Sequence, residues 1–269
     1  MKIFGPAIRI RFLGAAFLIF LLPLKEVWAW GPAGHRIVGN LADGHLSTAV
    51  RIKIRENFNI KTLADVSNWA DRVKDARSQR PWHYTNILES EWTYDRRRDC
   101  PGDECVVEKI RFFGEELKKP KLSRKKRGEA LKYLVHFIAD VHQPLHLGNR
   151  RDRGGNRIRL FFRGQPTNLH SLWDGGLLQL KGKNLVQYAR DLDRRIAPED
   201  IRAWTQSTVT DWANESRKLA LGHAYEAGWT PNGGLNKEYI RKSREIMDER
   251  LSRAGIRLAQ WINKLLTLH

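Results

Sequence analysis

Residues 129–141 constrain the fold most, because they join a helical apolar pattern to two residue types that bind metals. Leu134 and Ile138 repeat at the spacing of one helix face. His136 and Asp140 are four residues apart and therefore share one side of the same helix. An ion pair at the surface gives this pattern too. A carboxylate buried among apolar residues, however, needs a partner, and a metal ion can supply one.

The His-x-x-x-Asp pattern occurs a second time, at His170 and Asp174. Two copies, with His146 in addition, favour a metal site over a surface ion pair. Asp71 and His83 lie in separate fragments and add two further donors. These side chains offer nitrogen and oxygen atoms without a cysteine, which is a donor set that suits zinc.

Residues 1–29 have the features of a secretory signal peptide. The start is basic, residues 12–22 are apolar and uncharged, and Ala29 occupies the last position of a small-residue cleavage site. An uncleaved membrane anchor is the alternative. Cleavage would leave residues 30–269 as one domain that is secreted or periplasmic and not stably bound to a membrane.

Cleavage after Ala29 would also create a metal ligand at the new amino terminus. A free α-amino group has a pKa of about 7.7–8.0 and can bind a metal once it is deprotonated. The amine and carbonyl of Trp30 could therefore chelate an ion together with His35. About ten donors are then available, which suits two or three ions with at least one bridging Asp. Paired ions of this kind are the usual device for hydrolysis of phosphate esters.

Helical patterns dominate the rest of the chain, and strand signals are few. We therefore expect a mainly α protein, a single compact domain of packed helices with a small β-hairpin near residues 156–168. The predicted helices cover residues 35–46, 47–58, 62–74, 129–141, 168–180, 184–196, 199–221 and 237–266.

The net charge of +18 favours polyanionic partners such as nucleic acid or anionic lipid headgroups. The two cysteines exclude a disulfide-dense scaffold and a cysteine-rich zinc module. An oxidising compartment would allow Cys100 and Cys105 to pair. Basic runs are usually solvated, but Arg150, Arg151 and Arg153 come directly before a Gly-Gly-Asn sequence and could bind phosphates.

Taken together, these residues resemble the zinc-dependent S1/P1 nuclease family of secreted single-strand nucleases and 3′-nucleotidases. The resemblance covers essentially all of residues 30–266. Its markers are Trp30-Gly with His35, Trp69-Ala-Asp71, His83, the segment from His136 to His146, Gly154-Gly155-Asn156, and Asn168-Leu-His170 through Asp174.

The resemblance implies three zinc ions per chain and a fold similar to zinc-dependent phospholipase C. The implied ligands are Asp71, His83, His136 and Asp140 for the first ion, His146, His170 and Asp174 for the second, and the Trp30 amine and carbonyl, His35 and Asp140 for the third.

Roles for other residues follow from the same resemblance. Asp71 would orient or deprotonate the attacking water, and Lys74 would lie near the phosphate. Tyr84 would stack on a base, although a tyrosine packed in the core is its alternative. Cys100 and Cys105 match a short family disulfide. Gly154, Gly155 and Asn156 resemble the nucleobase pocket, and Arg153 would contact phosphate.

The expected activity is hydrolysis of single-stranded DNA and RNA to 5′-phosphorylated products, with 3′-nucleotides as further substrates, by a monomer from a bacterium. One alternative is a zinc-dependent phospholipase C-type phosphodiesterase. Such enzymes typically have Glu where this chain has Asp174, and they lack the Gly-Gly-Asn sequence. A second alternative is a secreted metal- or DNA-binding protein without turnover.

Overall fold

The computed structural model describes residues 30–73, 75–76, 78–226 and 234–267, so the expected signal peptide and Lys74 lie outside the described residues. The described part is mainly helical with one two-stranded sheet, which confirms the predicted fold class. The α-helices are α1 (Pro32–His45), α2 (Thr48–Phe58), α3 (Leu63–Val66), α4 (Arg96–Asp99), α5 (Val106–Lys118), α6 (Arg124–Asp140), α7 (Leu169–Ser171), α8 (Leu185–Asp193), α9 (Pro198–Thr205), α10 (Val209–Leu219) and α11 (Lys237–Thr267).

Shorter helical turns connect these elements. The 3₁₀ turns are Ala70–Arg72, Arg80–His83, Pro101–Asp103 and Pro144–Leu147, and the π-helical turns are Leu172–Gly176 and Ala220–Ala224. None of the described helices combines the length and apolar character that a membrane span requires.

The core lies between α1, α6 and α11. With 31 residues, α11 is about 46 Å long, and it packs against α1, α6, α9 and α2. The buried side chains between these helices include Ile37, Leu134 and Leu258. His35 lies in the first turn of α1, and Asp140 is the last residue of α6. The start of one core helix and the end of another therefore meet at the predicted metal site.

A close approach of backbones holds α3 against α1. A Cβ atom at Gly39 would lie 2.6 Å from the Cα atom of Ala64, so only glycine fits there. Thr62 caps α3, its hydroxyl accepting from the amide of Asp65 at 3.1 Å. The predicted helix over residues 62–74 nevertheless ends at Val66. The 3₁₀ turn Ala70–Arg72, which follows, places Asp71 at the predicted metal site.

The predicted hairpin is present, with β1 (Arg159–Phe162) antiparallel to β2 (Gln165–Asn168). Its two-residue turn places Arg163 and Gly164 at φ +52° and +73°, the left-handed geometry that matches strand twist. Leu160 is buried, while its neighbours Arg159 and Phe161 are exposed. The strand β2 leads directly into α7, which carries His170.

The disulfide between Cys100 and Cys105 is present and lies just before α5. Helix α5 is absent from the predicted set, although Val106, Ile110 and Leu117 are apolar at helical spacing and buried. The predicted helix over residues 199–221 is two helices, because Thr208 and Asp211 form a capping box that starts α10.

A buried ion network joins α10 to α11. Glu215 accepts from Arg250 at 2.6 Å and from Arg257 at 2.7 Å through both of its oxygens. Both arginine side chains are only 1% exposed. Arg257 also donates to Nε2 of His142 at 2.9 Å, while Nδ1 of His142 donates to the carbonyl of Ile138. His142 is therefore a structural residue of this network.

We expect Glu215→Gln to lower the free energy of unfolding by about 3–5 kcal/mol, because it leaves two buried guanidinium groups without a counter-charge. Urea unfolding measures the change. Glu199→Gln is the matched control, since its partner Arg202 and Glu199 itself are mostly exposed, and such pairs are worth at most about 1 kcal/mol. Equal effects of the two substitutions would contradict this account of the network.

Candidate metal centre

The structure brings the predicted histidines and aspartates into three groups, the first two of which share His136. In each group, one nitrogen or carboxylate oxygen from every member lies within 4.8 Å of the others. The groups are His35, Asp71 and His136; His83, His136 and Asp140; and His146, His170 and Asp174. Side chains from separate segments of the chain therefore lie close enough together to share metal ions.

Asp140 lies at the middle of this site and is fully buried. Its Oδ1 is 3.3 Å from Nε2 of His35, and its Oδ2 is 3.0 Å from Nδ1 of His83 and 3.3 Å from Nε2 of His136. The same Oδ1 is 3.8 Å from Nδ1 of His146. One carboxylate thus contacts both predicted neighbouring ligand sets, which is the arrangement a bridging ligand requires.

Three of the histidines are held in a fixed orientation by the backbone. In each, Nδ1 donates to a carbonyl oxygen, which directs Nε2 into the site. The pairs are His136 with Ser67 at 2.7 Å, His146 with His83 at 2.7 Å and His170 with Gly154 at 2.6 Å.

Gln143 orients the carboxylate of Asp174. It is a site residue that the sequence analysis does not identify. Its amide donates to Oδ1 of Asp174 at 2.7 Å, and its own oxygen accepts from the amide of Leu145 at 2.5 Å. The other oxygen of Asp174, Oδ2, lies 3.6 Å from Nε2 of His170. Gln143 belongs to the segment from His136 to His146, so its position between two ligands was the available signal.

Burial makes most of the imidazoles neutral. It lowers the pKa of His35, His83 and His146 well below the ordinary histidine value, with repulsion from neighbouring histidines adding to the effect. Burial also lowers the pKa of His170 to about 4. At neutral pH these rings keep a free lone pair, which is the form that binds metals.

The carboxyl groups respond to burial in the opposite direction. Burial raises the pKa of both Asp140 and Asp174 well above the ordinary aspartate value. Burial acts to lower the pKa of His136, but the carboxylates of Asp140 and Asp71 outweigh it and raise that pKa to about 9. Charges of this kind are stable in a buried site only when they are compensated.

Several buried polar atoms of the site form no hydrogen bond with the described residues. They are Nδ1 and Nε2 of His35, Oδ1 of Asp71 and Oδ1 of Asp140. Buried polar atoms are almost always satisfied, so this group indicates a ligand supplied from outside the chain. Because all the donors are imidazole nitrogens and carboxylate oxygens, the clusters fit zinc.

The main chain next to Trp30 lies at the same site. The indole of Trp30 is 1% exposed, and its N–H donates to the carbonyl of Ala139 at 2.8 Å, one residue before Asp140. The amide of Gly31 donates to the carbonyl of Asp174 at 2.8 Å. These bonds hold Trp30, the first residue of the expected mature chain, between the end of α6 and the segment that contains Asp174.

The predicted base-binding loop lies beside His170. Gly154 and Gly155 have φ of +64° and +82°, and a Cβ atom on Gly154 would lie 2.4 Å from the carbonyl oxygen of Leu145. Glycine is therefore required at position 154 to bring its carbonyl to His170. The amide of Asn156 donates to the carbonyl of Arg153, whose own side chain is exposed.

Tyr84, the predicted stacking residue, is half-buried and directly follows the 3₁₀ turn that carries His83. The Arg150 guanidinium lies 3.4 Å from Asp99 and also donates to the carbonyl of Arg98, which indicates a structural role for this member of the basic run. Arg151 and Arg153 are exposed.

Comparisons with known proteins agree with this geometry. The chain is 29% identical to "Endonuclease 3" of Arabidopsis thaliana over 93% of both chains. It is 29% identical to "Nuclease S1" of Aspergillus oryzae, over 88% of this chain and 91% of that one. "Nuclease P1" of Penicillium citrinum is 28% identical, over 88% of this chain and 97% of the relative. The family model described as "S1/P1 Nuclease" matches residues 30–267. The chain belongs to the S1/P1 nuclease family.

Proposed function

We propose that this protein is a secreted zinc-dependent endonuclease that cuts single-stranded DNA and RNA to 5′-phosphorylated products and removes 3′-phosphate from nucleotides. The observation that carries the proposal is the convergence of the three His/Asp groups around Asp140 in a chain of the S1/P1 nuclease family. The net charge of +18 supports a polyanionic substrate.

Three zinc ions would be held by the predicted ligands. The sets are Asp71, His83, His136 and Asp140; His146, His170 and Asp174; and the Trp30 amine and carbonyl, His35 and Asp140. The distances around Asp140 support its bridging role. The third set depends on cleavage after Ala29, which would also release the domain of residues 30–269 to the periplasm or the exterior as a monomer.

Zinc, when bound, would make a coordinated water more acidic and would offset negative charge on the phosphate. Asp71 would accept the proton of the attacking water, since its Oδ1 forms no hydrogen bond with a described residue and its side chain is 9% exposed at the edge of the site. Lys74, three residues later, would contact the phosphate.

Tyr84 would provide the stacking surface for a base, an interaction worth about 1–3 kcal/mol. Gly154, Gly155 and Asn156 would contact the base edge, and Arg153 a phosphate. The bases of a duplex are already stacked on one another, so only a single strand can present a base to this position. That requirement explains the expected preference for single strands.

Product analysis tests the proposal against its nearest alternative. The purified protein should release 5′-nucleotides from a single-stranded oligonucleotide and no phosphocholine from phosphatidylcholine. The opposite pattern would favour a phospholipase C-type enzyme. A second arm uses Asp71→Ala, which should abolish hydrolysis while the circular dichroism spectrum stays unchanged. A wild-type protein that binds DNA and hydrolyses neither substrate would favour the non-catalytic alternative.

Zinc uptake by the metal-free protein should release protons. Without metal, the neighbouring carboxylates raise the pKa of His136 to about 9, so this imidazole is protonated at pH 7. Zinc binds the deprotonated ligands, so affinity should rise with pH towards 9. Calorimetry in buffers of different ionisation enthalpy measures the release. Zinc affinity that does not change between pH 6 and 8 would contradict this expectation.

A further inference from the structure

A positively charged depression lies between residues 177–183, α8 and α11. It consists of a cavity of about 490 Å³ that adjoins another of about 520 Å³, with Lys181, Lys183 and Asp191 lining both. We call the two together the basic groove. Six cations and two carboxylates line it: Lys181, Lys183, Arg190, Arg194, Arg195 and Arg244, with Asp191 and Asp248.

The carboxylates of the basic groove compensate only part of its positive charge. Asp191 pairs with Lys183 and Arg194. Asp248 pairs with Arg195 at 3.2 Å and also accepts from the hydroxyl of Tyr188 at 2.5 Å. The remaining cations, Lys181, Arg190 and Arg244, form no ion pair with any residue in the described part of the chain. The groove therefore offers several positive charges to an anion.

One of these cations is fixed in place rather than freely solvated. Nε of Arg244 donates to the carbonyl of Leu177 at 3.2 Å, and the side chain is half-buried between α11 and the loop. A guanidinium held through Nε presents its two remaining nitrogens in one direction, a geometry that suits phosphate oxygens. Lys181 and Arg190, in contrast, are exposed.

The basic groove begins close to the metal centre. Leu177 lines it and follows Asp174 by three residues, directly after the π-helical turn Leu172–Gly176. Three residues span at most about 11 Å. A strand that is bound at the metal centre can reach this distance within a few nucleotides.

We propose that the basic groove binds the sugar-phosphate backbone of a polynucleotide, beyond the nucleotides that occupy the metal centre. This inference rests on the proposed function and adds a second contact region to it. The cations are spread along two adjoining cavities, an arrangement that suits successive phosphates of one strand. The apolar side chains of Leu180 and Met247 in its lining suit sugars and unpaired bases. Contacts of this kind bind any sequence and weaken with salt.

The test is a charge reversal at the two exposed, unpaired cations, Lys181→Glu with Arg190→Glu. The matched control is Arg124→Glu with Lys125→Glu, two exposed residues at the start of α6 that change the net charge equally. Arg124 lies 16 residues before Asp140, or about 24 Å along the helix, and Lys125 lies one residue closer. Binding of a 30-nucleotide single strand is measured by fluorescence anisotropy, with Asp71→Asn in every variant to prevent cleavage.

The groove variant should bind the strand about tenfold more weakly at 50 mM salt, and the slope of log affinity against log salt should become shallower by about 1–2. In the cleavage-competent background, kcat/KM should fall for the 30-nucleotide strand and stay unchanged for a dinucleotide. The control should resemble the wild type in each measurement.

Equal binding of the strand by the groove variant and the control would overturn the inference. So would loss of binding to vesicles of phosphatidylserine and phosphatidylcholine while strand binding is retained, since the groove would then recognise lipid. If the wild-type protein hydrolyses no nucleic acid, the proposed function fails, but the anisotropy measurement still decides whether the groove binds a strand.

Discussion

Asp140→Asn should reduce hydrolysis of single-stranded DNA by roughly 10³-fold and lower the zinc content of the protein. Asparagine keeps the shape of the side chain but removes the negative charge, and Asp140 is the carboxylate that lies within 3.3 Å of His35, His83 and His136. A metal centre that loses its bridging ligand loses several kcal/mol of charge stabilisation, and about 1.4 kcal/mol corresponds to a factor of ten in rate.

The fold should survive this substitution, because burial of Asp140 disfavours its charged form in the metal-free chain. Thermal unfolding after metal removal checks this point. Asp193→Asn is the control, since Asp193 pairs with His45 at 2.7 Å and its side chain is 45% exposed. Zinc content and activity equal to the wild type in Asp140→Asn would rule out a bridging role for this residue.

A protein with one additional residue before Trp30 should lose about 10²-fold in kcat/KM and bind less zinc. The nitrogen of Trp30 would then belong to a peptide bond, whose delocalised lone pair cannot bind a metal. The amino terminus cannot shift easily to restore the lost ligand. The indole of Trp30 donates to the carbonyl of Ala139, and the amide of Gly31 donates to the carbonyl of Asp174. Kinetics and metal analysis of the extended and the processed chain measure the effect.

Removal of the added residue by an aminopeptidase should restore both activity and zinc content, which separates ligation from misfolding. Trp30→Phe provides a second check, since it keeps the α-amine and removes only the indole hydrogen bond. We expect this variant to lose less activity than the extended chain. A fully active extended chain would remove the α-amine from the ligand scheme.

The local parts of the site could be predicted from the sequence. His136 and Asp140 are one helical turn apart, so their proximity depends only on α6 forming, and Leu134 and Ile138 predict that helix. The convergence of His35 and Asp71 on His136 is different. It depends on the packing of α1 and α3 against α6, which periodicity does not specify, and only the family resemblance predicts it.

The site itself explains why two predicted helices are shorter than expected. In a continuing α-helix, the carbonyl of Ser67 would accept from the amide of Asp71, but it accepts from His136 instead. The predicted helix over residues 168–180 is replaced by the short helix α7 and a π-helical turn. In that turn, the amide of Leu177 donates to the carbonyl of Leu172. At both places the sequence has helical propensity, but the backbone adopts the geometry that the ligands require.

Metal analysis by mass spectrometry, on secreted protein whose amino terminus has been sequenced, tests the central claim most directly. We predict that the chain begins at Trp30 and carries three zinc ions. We also predict that a chelator removes these ions together with the nuclease activity, and that added zinc restores it. A purified chain that starts at Trp30, holds no transition metal and still cleaves single-stranded DNA would contradict the account.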